Sequence, residues 1–248
     1  MKRIALLGSS YTESATPSYI EGNLVGSWPY HFAKDYPNLR IDNFAKSAHG
    51  VDYAQFVLNW MMHSSYSPSM IILEIPSLFR KFTWLSQSCN PFWSNLNDMF
   101  KFEQLKPSNL YDAETSSDRL LYNARQILHS PTNTQYGDFM KHNNDLWERH
   151  VLTHELHSLQ AMSFIKMIPY YSIELNCPIY YYSQGNEVAT ANHSNFSSTT
   201  ASSYLANSGI KNYMFDESHF NTLGNAYLYH NFIKTNHKIH STLEEINE

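Results

Sequence analysis

The feature that most constrains this chain is Met70-Ile71-Ile72-Leu73-Glu74-Ile75, the clearest buried strand in the sequence. A near-continuous apolar run of this length reads as a strand covered on both faces, which is the signature of a parallel sheet between layers of helix. Other segments repeat the theme. Lys2 to Gly8 is a short apolar run that opens into a tight turn at Gly8-Ser9-Ser10; Arg40 to Phe44 reads as a strand after the Pro37-Asn38 break, and Ile179 to Tyr182 as another. Between them the apolar spacing is helical: Trp28 to Tyr36, Tyr53 to Met62, Phe139 to Ile168 with Pro169 as its stop, and Thr222 to Asn236. Strands alternating with helices predict a three-layer α/β/α fold around a central parallel sheet, in which sites form at the carboxyl ends of the strands.

The 248 residues suit one domain spanning 1–248, with no internal repeat and no linker that would divide it. From Phe79 to about Tyr136 the pattern is poor, with Trp84, Phe92 and Trp93 scattered among Ser, Asn and Asp. That stretch reads as an insertion or a lid and not as part of the sheet. Ala189 to Ser203, rich in Ser, Thr and Asn, reads as a surface loop or the polar start of a helix.

Composition narrows the function classes. A formal net charge of -5 gives no general positive field, so nucleic acid is not an expected partner. Met1-Lys2-Arg3 before Ile4-Ala5-Leu6-Leu7 imitates a signal peptide, but the apolar run has four residues where roughly 7–15 are needed. No stretch approaches the roughly 18 apolar residues of a membrane span. The expectation is a soluble protein, either cytoplasmic or part of a larger assembly. Cys89 and Cys177 are too few for a disulfide framework and are read as free thiols.

Three residues carry the candidate chemistry. Serine becomes a nucleophile only when a base accepts its proton, and the base needs a carboxylate to fix its tautomer. Ser10 follows the first strand by one tight turn, and Asp216-Glu217-Ser218-His219 sits in the loop before a late helix. A serine at a strand end and an Asp/His pair on a nearby loop can meet at one edge of such a sheet.

Ile4-Ala5-Leu6-Leu7-Gly8-Ser9-Ser10-Tyr11-Thr12 resembles the first block of the SGNH (GDSL-like) hydrolases, and Asp216 to His219 followed by Phe220-Asn221 and Gly224-Asn225 resembles their closing block. Asp42-Asn43-Phe44-Ala45 through Gly50 is similar to their second block. The resemblance covers roughly the first 80 residues and the last 40 and implies a flavodoxin-like fold. It further implies Ser10 as nucleophile, His219 as base, Asp216 as its orienter, and the N–H groups of Ser10 and Gly50 as oxyanion donors. It implies no metal and no organic cofactor. The substrate class is a small acyl ester, foremost an O-acetyl group on a glycan.

The sequence departs from that pattern in two places. Ser9 stands where these enzymes commonly have Asp, as in a looser branch with Gly-x-Ser-x-Thr. Their third block ends its strand with Gly-x-Asn-Asp, whose Asn donates to the oxyanion, whereas Glu74-Ile75-Pro76-Ser77-Leu78-Phe79-Arg80 offers no Asn. Losing one such donor costs on the order of 10²–10³ in rate. Arg80 is a candidate substitute, aimed at the oxyanion or at an acidic group of the substrate. Two further readings therefore stand beside the esterase: a weak or inactive SGNH-fold component that binds carbohydrate within an assembly, and an O-acyltransferase using the same triad.

Remaining motifs have plainer readings. His150, His154 and His157 approach a zinc-protease signature, but the second His of that motif would fall at Ser158. Tyr170, Tyr171 and Tyr180 to Tyr182 suit core packing better than a sugar cleft. The sequons at Asn192 and Asn195 mean little without a secretory signal.

Overall fold

A computed structural model describes residues 1–13, 27–46, 50–76, 100–104, 121–126, 154–185, 199–213 and 219–247, with 100–104, 121–126 and 154–157 as backbone. The strands are β1 (Arg3–Leu7), β2 (Arg40–Asn43), β3 (Met70–Ile75), β4 (Phe100–Gln104), β5 (Leu121–Gln126) and β6 (Ile179–Ser183). They form one sheet in the order β4-β5-β2-β1-β3-β6. Every neighbouring pair is parallel except β4 on β5. The helices are α1 (Ser10–Glu13), α2 (Trp28–Asp35), α3 (Val51–His63), α4 (His154–Glu174), α5 (Ala201–Ala206), α6 (Thr222–Leu228) and α7 (His237–Asn247). The chain is thus an α/β fold of three layers.

Alternation along the buried strands sorts the two outer layers. Ile4, Leu6, Ile41, Met70, Ile72 and Tyr182 point to one face, where Trp28 and Phe32 of α2, Leu205 of α5, Leu228 of α6 and Ile239 of α7 cover them. Ala5, Leu7, Ile71, Leu73 and Ile179 point to the other, against Tyr53, Val57 and Leu58 of α3 and Phe164, Ile168 and Tyr171 of α4. Tyr180 packs with the first cluster and Tyr181 with the second, so the tyrosine run alternates across β6, while Tyr170 on α4 is exposed.

Local chemistry fixes the helix ends. Ser27 caps α2, its Oγ accepting the Tyr30 N–H at 3.3 Å, and Pro29 costs nothing in a first turn whose N–H groups lack helical partners. Thr200 caps α5 in the same way, accepting from the Ser203 N–H. After α6 the helix continues through a π-turn at Tyr229–Ile233, where the Lys234 N–H bonds the Tyr229 carbonyl at 2.8 Å. Tyr229 Oη and Lys234 Nζ both reach Asp35 Oδ2 on α2, at 2.8 and 2.5 Å.

Besides Tyr170, exposed where core packing was expected, two expectations need correction. Pro169 does not end the long helix: α4 runs through it to Glu174. The lost N–H is tolerated because Ile168, Tyr171 and Leu175 keep the helix seated on the sheet. The stop comes from Asn176 in the left-handed region (φ 49), with the Cys177 N–H returning to the Ser172 carbonyl. Nor is the stretch from Phe79 to Tyr136 outside the sheet, since it supplies β5, paired with β2, and β4 at the edge. Phe100-Lys-Phe-Glu-Gln and Leu121-Tyr-Asn-Ala-Arg-Gln are too polar to read as strands of a buried parallel sheet. Such polarity is common at an edge, which β4 forms with β5 next to it. Among the described residues, no helix is long and apolar enough to cross a membrane.

His31 on α2 stacks against Tyr229 and lies 5.5 Å, centroid to centroid, from the His230 ring. Burial, then the charges of His230 and Lys34, push its pKa down to about 4. The unfolded chain takes up this proton near pH 6.5 and the folded chain only near 4. The stability that neutral His31 permits is therefore whole above pH 6.5 and is lost as the pH falls toward 4. Melting temperature should drop over that interval in the wild type and drop less in His31→Phe. Parallel melting curves for the two proteins would assign the acid sensitivity to other groups.

Candidate active site

The strand order reverses direction at β1: β2 lies on one side of it and β3 on the other. In open α/β sheets the crevice at the carboxyl end of this switch point is where ligands bind. Ser10 begins α1 there, directly after Gly8 and Ser9. The turn is closed by the Ser9 carbonyl, which accepts the Thr12 and Glu13 N–H groups at 3.1 and 2.8 Å. From β2, buried Asn43 donates its amide to the Thr12 carbonyl at 2.7 Å, and Lys46 pairs with Glu13 at 3.2 Å. From β3, buried Glu74 accepts the Ser9 hydroxyl at 2.5 Å on Oε1 and the Thr12 hydroxyl on Oε2. Gly8 is required by this approach, because a Cβ would sit 2.8 Å from Glu74 Cβ.

The other half of the site enters from the loop before α6. His219 Nε2 lies 3.2 Å from Ser10 Oγ, within hydrogen-bond reach of a base and its nucleophile. Phe220 anchors the loop in the core, and the Tyr11 ring packs 5.6 Å from the His219 ring and 5.0 Å from the Phe220 ring. Asn221 caps α6 by accepting the Gly224 N–H at 2.9 Å and ties back to the 212–213 segment through the Tyr213 and Asn212 carbonyls. Asn225 adds bonds to the Phe220 and Asn221 carbonyls. The Asn and Gly of the closing motif thus have structural work: they hold His219 at a fixed place beside the sheet edge.

Of the residues singled out from sequence, Ser10 and His219 meet. Gly50 is the buried N-cap of α3, on the loop that follows β2, and so belongs to the same sheet edge. Asp216 and Arg80 lie outside the described residues, as do Cys89, the sequons and the side chains of His150, His154 and His157. Cys177 is a buried free thiol, far from reactive because burial pushes its pKa up to about 12. Sequence reasoning missed Glu74 and Asn43 as parts of the site. The signal for Glu74 was present, a single charged residue in an otherwise apolar strand. Its partner on another segment was not. No protein-family model, curated protein or solved structure matches the chain.

The loop geometry can be tested directly. Asn221→Ala should cost about 1 kcal/mol as a lost cap. Gly224→Ala should cost more, since its Cβ would fall 2.4 Å from the Tyr213 carbonyl oxygen that Asn221 uses. Urea midpoints of the two variants against wild type read out both effects, and a Gly224→Ala midpoint equal to wild type would show that the loop yields freely.

Proposed function

We propose that the chain is a serine hydrolase of the SGNH kind, cleaving small acyl esters and, foremost, O-acetyl groups on carbohydrate. One observation carries the reading: Ser10 Oγ and His219 Nε2 stand 3.2 Å apart at the carboxyl edge of a parallel sheet, brought there from positions 209 residues apart. Each comes from a sequence block that resembles the matching block of those enzymes, in the same order.

In this reading His219 takes the Ser10 proton as the hydroxyl attacks the acyl carbon. The resulting tetrahedral oxyanion is received by the N–H groups of Ser10 and Gly50. His219 then returns the proton to the departing alcohol, and a water, activated by the same imidazole, releases the acid. Asp216 takes the role of holding the ring in the required tautomer. Where the related enzymes place a donor Asn, Glu74 to Arg80 offers none, so the hydrolase works with fewer oxyanion contacts or draws one from Arg80. The same gap favours, as second reading, a catalytically weak protein that binds a glycan in an assembly; an acyltransferase would differ from both in passing the acyl group to a sugar hydroxyl.

Release of p-nitrophenol from p-nitrophenyl acetate should exceed the heat-unfolded control. Ser10→Ala and His219→Gln should each lose nearly all of the excess, a fall of at least about 10³-fold where activity is high enough to measure it. Equal rates for folded wild type and Ser10→Ala would sink the hydrolase and favour the glycan-binding reading.

A further inference from the structure

Glu74 is fully buried at the carboxyl end of β3, and the chemistry above does not use it. Withdrawing a carboxylate from water costs several kcal/mol unless its oxygens are well supplied with donors. Nothing about the fold demands that cost, since the same face of β3 carries Met70 and Ile72 in the apolar cluster. Asp42, the other fully buried carboxylate among the described residues, has the partners of a structural ion pair: Arg40 Nε at 2.7 Å and Tyr66 Oη at 2.9 Å. Glu74 accepts bonds from the Ser9 and Thr12 hydroxyls. These two residues bracket Ser10.

The two hydroxyl bonds cross from β3 to the turn that follows β1, one to each carboxylate oxygen. A turn of four residues is therefore clamped at both ends by a single side chain rooted in the sheet. Gly8, with no Cβ, lets that side chain come close. We propose that Glu74 is the positioning residue of the nucleophile turn, holding Ser10 Oγ at its distance from His219. Its catalytic consequence rests on reading Ser10 as the nucleophile.

Two measurements test this separately. The first is the rate at which a fluorophosphonate modifies Ser10, the serine oxygen bonding to phosphorus as fluoride leaves and its proton passes to solvent. The second is the position of the His219 ring signals in NMR spectra, which needs no reactivity. Glu74→Leu and the milder Thr12→Val should slow labelling about 10–100-fold, the scale expected of a misplacement near 1 Å. KM for p-nitrophenyl acetate should stay within about threefold while kcat falls. Glu74→Gln should lie between, because its amide keeps one acceptor and either hydroxyl can turn to accept from the NH₂. His219 ring signals should move in all three variants. Should Glu74→Leu not fold, Thr12→Val and Glu74→Gln carry the comparison. Labelling within about twofold of wild type in the folded variants, with unmoved His219 signals, overturns the proposal. If wild type itself is not labelled while Ser10 is intact, the nucleophile reading fails and the ring signals alone decide: moved signals keep the positioning role, unmoved signals remove it.

Discussion

The register of β1 between β2 and β3 is the constraint on which the rest of the molecule depends. Leu6 stands opposite Asn43 on one side and Ile72 on the other, and Leu7 opposite Leu73. Because Ile4 and Leu6 serve one helical layer and Ala5 and Leu7 the other, a slip of a single residue would send each side chain to the wrong layer. The packing mismatch that error would create in both layers fixes where the strand ends. It therefore also fixes where Gly8, Ser9 and Ser10 emerge, before any polar contact of the site is made.

On that foundation the polar contacts do the finer placement. Asn43 from β2 and Glu74 from β3 reach the same short turn from opposite sides, so the segment carrying Ser10 is gripped by both neighbours of β1. His219 arrives by a different route, through a loop whose backbone is pinned by Phe220, Asn221 and Asn225. Each half is organised locally. They meet because both are tied to one sheet edge.

Much of this was legible in the sequence, for identifiable reasons. β3 was read with its observed bounds, and β1, β2, β6, α2 and α3 to within a few residues, because buried parallel strands and amphipathic helices carry strong apolar patterns. β4, at the sheet edge, and β5 beside it were missed because Lys, Glu, Gln, Asn and Arg interrupt the apolar pattern there. The end of α4 was misjudged because a proline weakens a helix that packing can still hold, whereas an αL asparagine terminates it outright. In the candidate site, the juxtaposition of Ser10 and His219 was anticipated from flanking motifs. Glu74 escaped because its meaning lies in two hydroxyls more than 60 residues away in sequence, a relation that no local pattern encodes.

The π-turn between α6 and α7 decides which side chains of that segment can share a partner. In a regular α-helix residues five apart diverge by about 140° around the axis, given 100° per residue. Tyr229 and Lys234 are five apart, yet both meet the Asp35 carboxylate, because the wider turn brings them to one side. With regular α-helical winding through this segment, only one of those two side chains could face Asp35.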